Sequence, residues 1–164
     1  MALSEVLRLS ETPKCLKIYT DGSHIKNKTN GYIGYGAYCL FNGTEYHLSK
    51  TITPELLIRY GITTTEISNP TAEFLAFSEV LTKFANTGFH TFCFYIDYIG
   101  VNKWLSGEWK AKKPYILKIR NYCLNLMNKY NMSVSINHVK AHSGDKGNEI
   151  ADYLAKQRTD VDEF

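Results

Sequence analysis

The run Thr91-Phe92-Cys93-Phe94-Tyr95-Ile96 limits most sharply what this chain can fold into. A nearly unbroken apolar stretch, rich in aromatics, reads as a strand buried on both faces. Such a strand belongs inside a sheet flanked by helices, which places the chain among the α/β folds. Asp97 closes the run. A carboxylate just past the carboxyl end of a covered strand stands where ligand sites form in open α/β sheets.

The remaining elements follow from local pattern. Leu16–Thr20 reads as a strand, and Asp21-Gly22-Ser23 after it as a turn. Two further strands, Tyr35–Phe41 and Thr44–Ile52, flank Asn42-Gly43, a strong hairpin signal. A helix to about Phe84 starts with Asn69 as N-cap and Pro70 in its first turn; Ala72, Leu75, Ala76 and Val80 form its apolar stripe and Glu73 lies near its start. Between hairpin and helix, Leu56, Leu57, Ile58 and Tyr60 suit a short helix packed over the sheet. Another short helix follows Asp97, and Pro114 opens a longer one over about 115–130. A strand over 133–138 puts Val134 and Ile136 on one face. A polar loop with His142 then leads to a last helix carrying Asp152. Strands one and four are joined through a helix and so pair in parallel. The expected fold is a mixed five-stranded α/β sheet with flanking helices, in which Asp21 and Asp97 lie side by side.

Asp21, Glu73, Asp97, Asp152 and His142 all sit at element ends. Each alone has a plainer reading. Asp21 suits a turn, Glu73 a helix N-terminus, Asp97 a cap, Asp152 a solvated helix face and His142 a surface loop. Gathered in one pocket, four carboxylates would repel each other and could not all ionise without compensation. Divalent cations supply it. Mg²⁺ prefers hard oxygen ligands and a few carboxylates beside substrate phosphate. Two ions, roughly 3.5–4 Å apart, can clamp the attacking and leaving oxygens of a phosphoryl displacement. No histidine or cysteine ligand set competes, so Mg²⁺, with Mn²⁺ as substitute, is expected over Zn²⁺.

Several stretches together resemble type 1 ribonuclease H, the enzymes that cut RNA in RNA–DNA hybrids. They are Ile18-Tyr19-Thr20-Asp21-Gly22-Ser23, Gly34-Tyr35-Gly36-Ala37, Asn69-Pro70-Thr71-Ala72-Glu73-Phe74-Leu75-Ala76, Tyr95-Ile96-Asp97, and His142-Ser143-Gly144 through Asn148-Glu149-Ile150-Ala151-Asp152. The resemblance implies a ribonuclease H-like sheet of order three-two-one-four-five. It makes Asp21, Glu73, Asp97 and Asp152 the metal-binding carboxylates and His142 an aid to proton transfer or product release. It places Ser68 and Asn69 against the hybrid and Asn27 near a DNA phosphate. It implies an endonuclease using two metal ions and leaving 5′-phosphate and 3′-hydroxyl ends. Tyr98, where a small polar residue is usual, and Pro70, where a polar one is frequent, depart from the family pattern. The stretch 101–113 is short, as in the subtype without a basic handle helix, and there is extra chain around 53–68.

The net charge of +3 does not by itself indicate nucleic-acid binding. Local clustering says more. Lys110, Lys112, Lys113, Lys118 and Arg120 gather near Trp104 and Trp109, a mix that suits a phosphate backbone with sugar or base packing. A solvated helix face over core tryptophans is the competing reading. The four cysteines are scattered without metal-type spacing; Cys39 and Cys93 read as buried thiols, which fits an intracellular, reducing compartment. No apolar stretch is long enough to span a membrane and no secretory signal is visible. The expected organisation is an extension over 1–15, one catalytic domain over 16–158 and a tail over 159–164, working as a free-standing monomer that needs no protein partner. Three rivals stay open: a DNA-cutting nuclease of the same fold, a hybrid-binding module without catalysis, and a terminal domain of a larger polymerase.

Overall fold

The structure is a computed structural model that describes residues 1–9, 15–25 and 33–164. Three strands form the expected antiparallel meander: β1 (Leu16–His24), β2 (Ile33–Phe41) and β3 (Thr44–Thr51). Asn42 and Gly43 turn the hairpin with φ of 50° and 78°, the backbone a two-residue loop needs to follow the strand twist. β1 runs past the turn that Asp21-Gly22-Ser23 suggested. Asp21 lies within the strand, opposite Gly36 of β2. Gly22 serves close packing here: a Cβ on it would stand 2.3 Å from the Ala72 carbonyl oxygen.

β4 (Thr91–Ile96) runs parallel to β1 and β5 (Ser133–His138) parallel to β4, so the core order is β5-β4-β1-β2-β3, as expected. A short sixth strand, β6 (Val161–Asp162), pairs antiparallel with β3. Past it, Phe164 is buried, with its ring 5.6 Å from that of Phe84. The first helix, α1 (Leu3–Leu9), buries Leu3 and Leu7, and the Leu3 N–H donates to the Glu163 carbonyl at 2.8 Å. The two ends of the chain thus cover the β3 edge, which limits edge-to-edge pairing.

One sheet face carries α3 (Asn69–Phe84), buried on nearly every side, with Phe77 edge-on to Phe94 at 4.9 Å. The segment over 52–68 contains α2 (Pro54–Tyr60), capped by the Thr53 hydroxyl. It packs against α5 (Pro114–Lys129) rather than over the sheet: Tyr60 meets Tyr122 edge-on and Ile58 is exposed. The other face carries α6 (Lys146–Gln157), which lies on β1, β2 and β3. Gly36 permits that approach, since a Cβ there would stand 2.5 Å from the Ala151 carbonyl oxygen.

This placement corrects the reading of the apolar run. Phe92, Phe94 and Ile96 are buried, but Thr91, Cys93 and Tyr95 are only half-buried, because α6 covers β1–β3 and not the second face of β4. Cys93 is also no free thiol. Lys17 pairs with Cys93 across β1 and β4, and Cys15 shares the Lys17 side of the strand, so Cys15 and Cys93 lie 6.0 Å apart at Cα and are disulfide-bonded. The described free cysteines, Cys39 and Cys123, are both buried.

Candidate active site

β1 and β4 set the base of the site. Their last paired residues are Tyr19 and Tyr95, so Asp21 and Asp97 stand at matching levels, each two residues further along its strand. α3 brings Glu73 to them. The cap is the Ser68 hydroxyl, which accepts from the Thr71 N–H, and not Asn69; Asn69 opens the helix and its side-chain oxygen accepts from the His24 N–H at 3.2 Å. Asp97 does not cap the next helix, α4 (Gly100–Ser106), which has no side-chain cap. Carboxylate oxygens of Asp21, Glu73 and Asp97 all lie within 4.8 Å of one another.

Asp152 joins from α6. It lies in the same pocket as Asp21 and forms an ion pair with Lys156, one helical turn on, at 3.0 Å. Asp21, Glu73, Asp97, Asp152, Asn69 and Lys156 line one open pocket of about 370 Å³. His142 sits in the exposed loop before α6 with a left-handed φ of 55°, near enough for its charge to bear on Asp97 and Asp152.

Burial dominates the electrostatics. Asp21 and Glu73 are 4% and 7% exposed. Burial, with Asp97 and Asp152 adding to it and Glu73 opposing, pushes Asp21 up to about 7. Glu73 lies well above its ordinary range for the same reason, with its hydrogen bond to Asp21 adding to the effect. Asp97 is raised by burial, against a hydrogen bond from Asn148. Asp152 goes the other way: partial burial is outweighed by its bonds to Asp21 and Lys156. Glu73 Oε2 is buried with no partner among the described residues. A cluster that cannot fully ionise, with an unpaired buried carboxylate oxygen, fits hard divalent cations held by Asp21, Glu73, Asp97 and Asp152.

A second concavity adjoins this one. Phe74, next to Glu73, stacks on Trp104 at 5.4 Å, and Tyr98, next to Asp97, packs on Trp104 at 5.8 Å. Beyond them Trp104, Trp109, Lys110, Lys112 and Lys113 line a groove of about 540 Å³. Arg120, counted with these basic residues by sequence, instead donates through Nε to the Trp104 carbonyl, and Lys118 does not line the groove. Asn27 lies outside the described residues.

The sequence reading passed over Asn148. It is 3% exposed, and its amide acts to hold the Asp97 carboxyl down. Its four-residue spacing from Asp152 was the available signal, since residues four apart share a helix face. His138 was also passed over; its Nε2 lies 3.1 Å from the Asp97 carbonyl oxygen.

The RNase H family model matches residues 13–160. The chain belongs to the RNase H family. A ribonuclease H from Pseudoalteromonas translucida (strain TAC 125) is 32% identical over 155 residues, covering 87% of this chain and 88% of that protein. Among solved structures, RNase H1 from the halophilic archaeon Halobacterium salinarum NRC-1 superposes with a TM-score of 0.66 at 24% identity, covering 87% of this chain and 96% of that one. LC11-RNase H1, solved in complex with an RNA/DNA hybrid, gives 0.64 at 17% identity over 87% and 97%. The fold is thus the RNase H fold, and the chain is a ribonuclease H enzyme.

Proposed function

We propose that this ribonuclease H hydrolyses the RNA strand of RNA–DNA hybrids as a metal-dependent endonuclease. The observation that carries the reading is the convergence of Asp21, Glu73 and Asp97 within 4.8 Å, with Asp152 lining the same pocket. Family membership and the hybrid-bound relative support the choice of substrate. Two Mg²⁺ ions, or Mn²⁺, would supply Lewis acidity and an activated water here, giving 5′-phosphate and 3′-hydroxyl ends.

The chain's own residues prepare that chemistry. Asp21 is the central ligand because it shares one pocket with Glu73, Asp97 and Asp152. Asp97 fixes the β4 side of the site. His142, on an exposed loop beside Asp97 and Asp152, holds or delivers a proton at the leaving oxygen and is reached from solvent. Strand choice requires a group that recognises the 2′-hydroxyl, because that group marks RNA. Asn69 and Ser68 stand at the start of α3, with Asn69 lining the acidic pocket, and serve as readers. Trp104, Lys110, Lys112 and Lys113 hold the backbone further along the duplex, where phosphate and sugar contacts position the substrate without reading sequence. Asn27 is assigned to a phosphate contact by resemblance alone. The enzyme acts as a monomer in an intracellular compartment with its nucleic-acid substrate.

The test is cleavage of a labelled RNA–DNA hybrid in Mg²⁺ beside matched DNA and RNA duplexes, with Asp97→Asn as control. Cutting confined to RNA in the hybrid, abolished by chelator and by the substitution, is expected. Cutting of the DNA duplex under the same conditions would favour a DNA nuclease. Binding of hybrid without turnover in Mg²⁺ or Mn²⁺ would reduce the chain to a binding module.

A further inference from the structure

The groove beside the acidic pocket holds more than a duplex backbone asks for. Phosphates need cations, and Lys110, Lys112 and Lys113 supply them. Glu108 also lines the groove, but Lys103 neutralises it at 2.8 Å, so the charge left uncompensated there is positive. Trp104 already gives the sugars an apolar wall. Trp109 is the surplus: its ring is 40% exposed, a large apolar surface left in solvent beside the lysines.

Local contacts hold it there. α4 ends at Gly107, whose φ of 82° turns the chain. The Glu108 N–H then donates to the Ser106 hydroxyl at 3.3 Å, and the Trp109 N–H to the Lys103 carbonyl at 2.9 Å. The Arg120 bond to the Trp104 carbonyl, at 2.8 Å, fixes the other wall. The two indoles meet nearly edge to face, at 76° and 6.2 Å. They form a corner whose shape is set before anything binds, which lowers the ordering cost of binding. The space it borders, about 540 Å³, is within the range of small-ligand pockets. A flat ring stacked on Trp109 would meet Trp104 edge-on, and aromatic pairs favour both arrangements. Bases inside a duplex cannot use such a corner, because they stack on each other and show only their edges. An unpaired base can, because every base has a π-face.

We propose that this groove binds an unpaired nucleotide at a single-stranded extension of the hybrid, with the base on Trp109 and its phosphates on Lys110, Lys112 and Lys113. Trp104 places the groove relative to the acidic pocket, since it also contacts Phe74, next to Glu73, and Tyr98, next to Asp97. A strand leaving the carboxylates past Trp104 enters the groove. The preferred substrate is then a hybrid that adjoins a single strand. That role rests on the hybrid-cutting reading above; the binding of an unpaired nucleotide does not.

The test uses the full chain in chelator and a labelled single-stranded oligothymidylate. Wild type should bind it and lose tryptophan emission as a base stacks on the indole. Trp109→Leu keeps an apolar contact with Trp104 but has no flat face, and should bind roughly tenfold more weakly; Trp109→Phe keeps a ring and should stay within about threefold of wild type. Lys112→Gln should keep the quenching and lower the salt dependence by about one phosphate contact. A second comparison sets a blunt RNA–DNA hybrid beside the same hybrid with a single-stranded DNA extension at one end or the other. An extension should tighten binding to wild type, and Trp109→Leu should remove that gain. Melting temperatures establish that each variant is folded, and the wild-type comparison stands even where one is not. Wild type that neither binds the oligothymidylate nor favours an extended hybrid overturns the inference, while cutting of blunt hybrid by that same protein leaves the ribonuclease reading in place. A folded Trp109→Leu that loses affinity equally for blunt and extended hybrids also overturns it, and makes the groove a duplex contact.

Discussion

Asp21 and Glu73 bring two carboxyl groups into a site that buries both, and the proton balance of the protein should register it. The folded state holds Asp21 up at about 7, against an ordinary 3.8, chiefly through burial and then through Asp97 and Asp152. A carboxyl raised on folding favours the folded state when protonated. That contribution is present below about pH 4 and is lost as pH rises through about 7. In chelator, therefore, Asp21→Asn should gain in melting temperature relative to wild type between pH 4 and pH 8, and exceed it at the upper end. Mg²⁺ should reverse the order at pH 8 by stabilising only a chain that can bind it, by RT ln(1 + [Mg²⁺]/Kd). Melting curves at pH 5 and 8, with and without Mg²⁺, decide it. A difference between the two chains that does not change with pH would show that Asp21 carries no raised proton affinity.

At the scale of elements, the site is set by how closely helices approach strands. Gly22 lies against the α3 backbone, where a Cβ would stand 2.3 Å from the Ala72 carbonyl oxygen and 2.8 Å from the Glu73 nitrogen. Gly22→Ala must push β1 and α3 apart, and that contact separates Asp21 from Glu73. Overpacking of this kind costs about 1–3 kcal/mol of stability. A shift of about 1 Å in catalytic geometry can cost on the order of a hundredfold in rate. Turnover should thus fall far more than the fraction folded does; activity close to wild type in a folded variant would mean that α3 gives way without moving Glu73. This dependence explains what could be read beforehand. Carboxylates at element ends, the Asn42-Gly43 turn and the order of elements are local signals, and they were legible. The strand through Asp21 was misread because an Asp-Gly pair is a turn signal locally, and only the pairing of Asp21 with Gly36 overrides it. Ser68 displaced Asn69 as cap for a similar reason: both are good caps, and the His24 N–H takes the asparagine oxygen. Asn148 was overlooked because its effect on Asp97 links residues distant in sequence, although its spacing from Asp152 was visible.

At the scale of the whole molecule, the chemistry and the stabilising link occupy opposite ends of the central strands. The carboxylates lie beyond Tyr19 and Tyr95, while the Cys15–Cys93 disulfide joins the start of β1 to β4 on the sheet face that α6 leaves half-covered. An apolar run cannot tell a strand covered twice from one covered once, which is why Cys93 read as an enclosed thiol. The bridge closes 78 residues. In the chain-entropy account a loop of that length confines the unfolded state by roughly 4.5 kcal/mol, and measured disulfides more often give about 2–4 kcal/mol. Against a typical total of about 5–15 kcal/mol this is a large share. Reduction, or Cys93→Ser, should therefore lower the melting temperature by on the order of 10 °C in a domain of this size. Because the pairs Ile18–Phe94 and Tyr19–Tyr95 lie between the link and the aligned Asp21 and Asp97, the β-ladder keeps that register without it. Turnover at a temperature where both forms are folded should then match the oxidised protein. Melting curves and hybrid cleavage, each with and without reductant, separate the two effects. A lower rate in the reduced but folded protein would show that the alignment of Asp21 and Asp97 depends on the bridge as well as on the ladder.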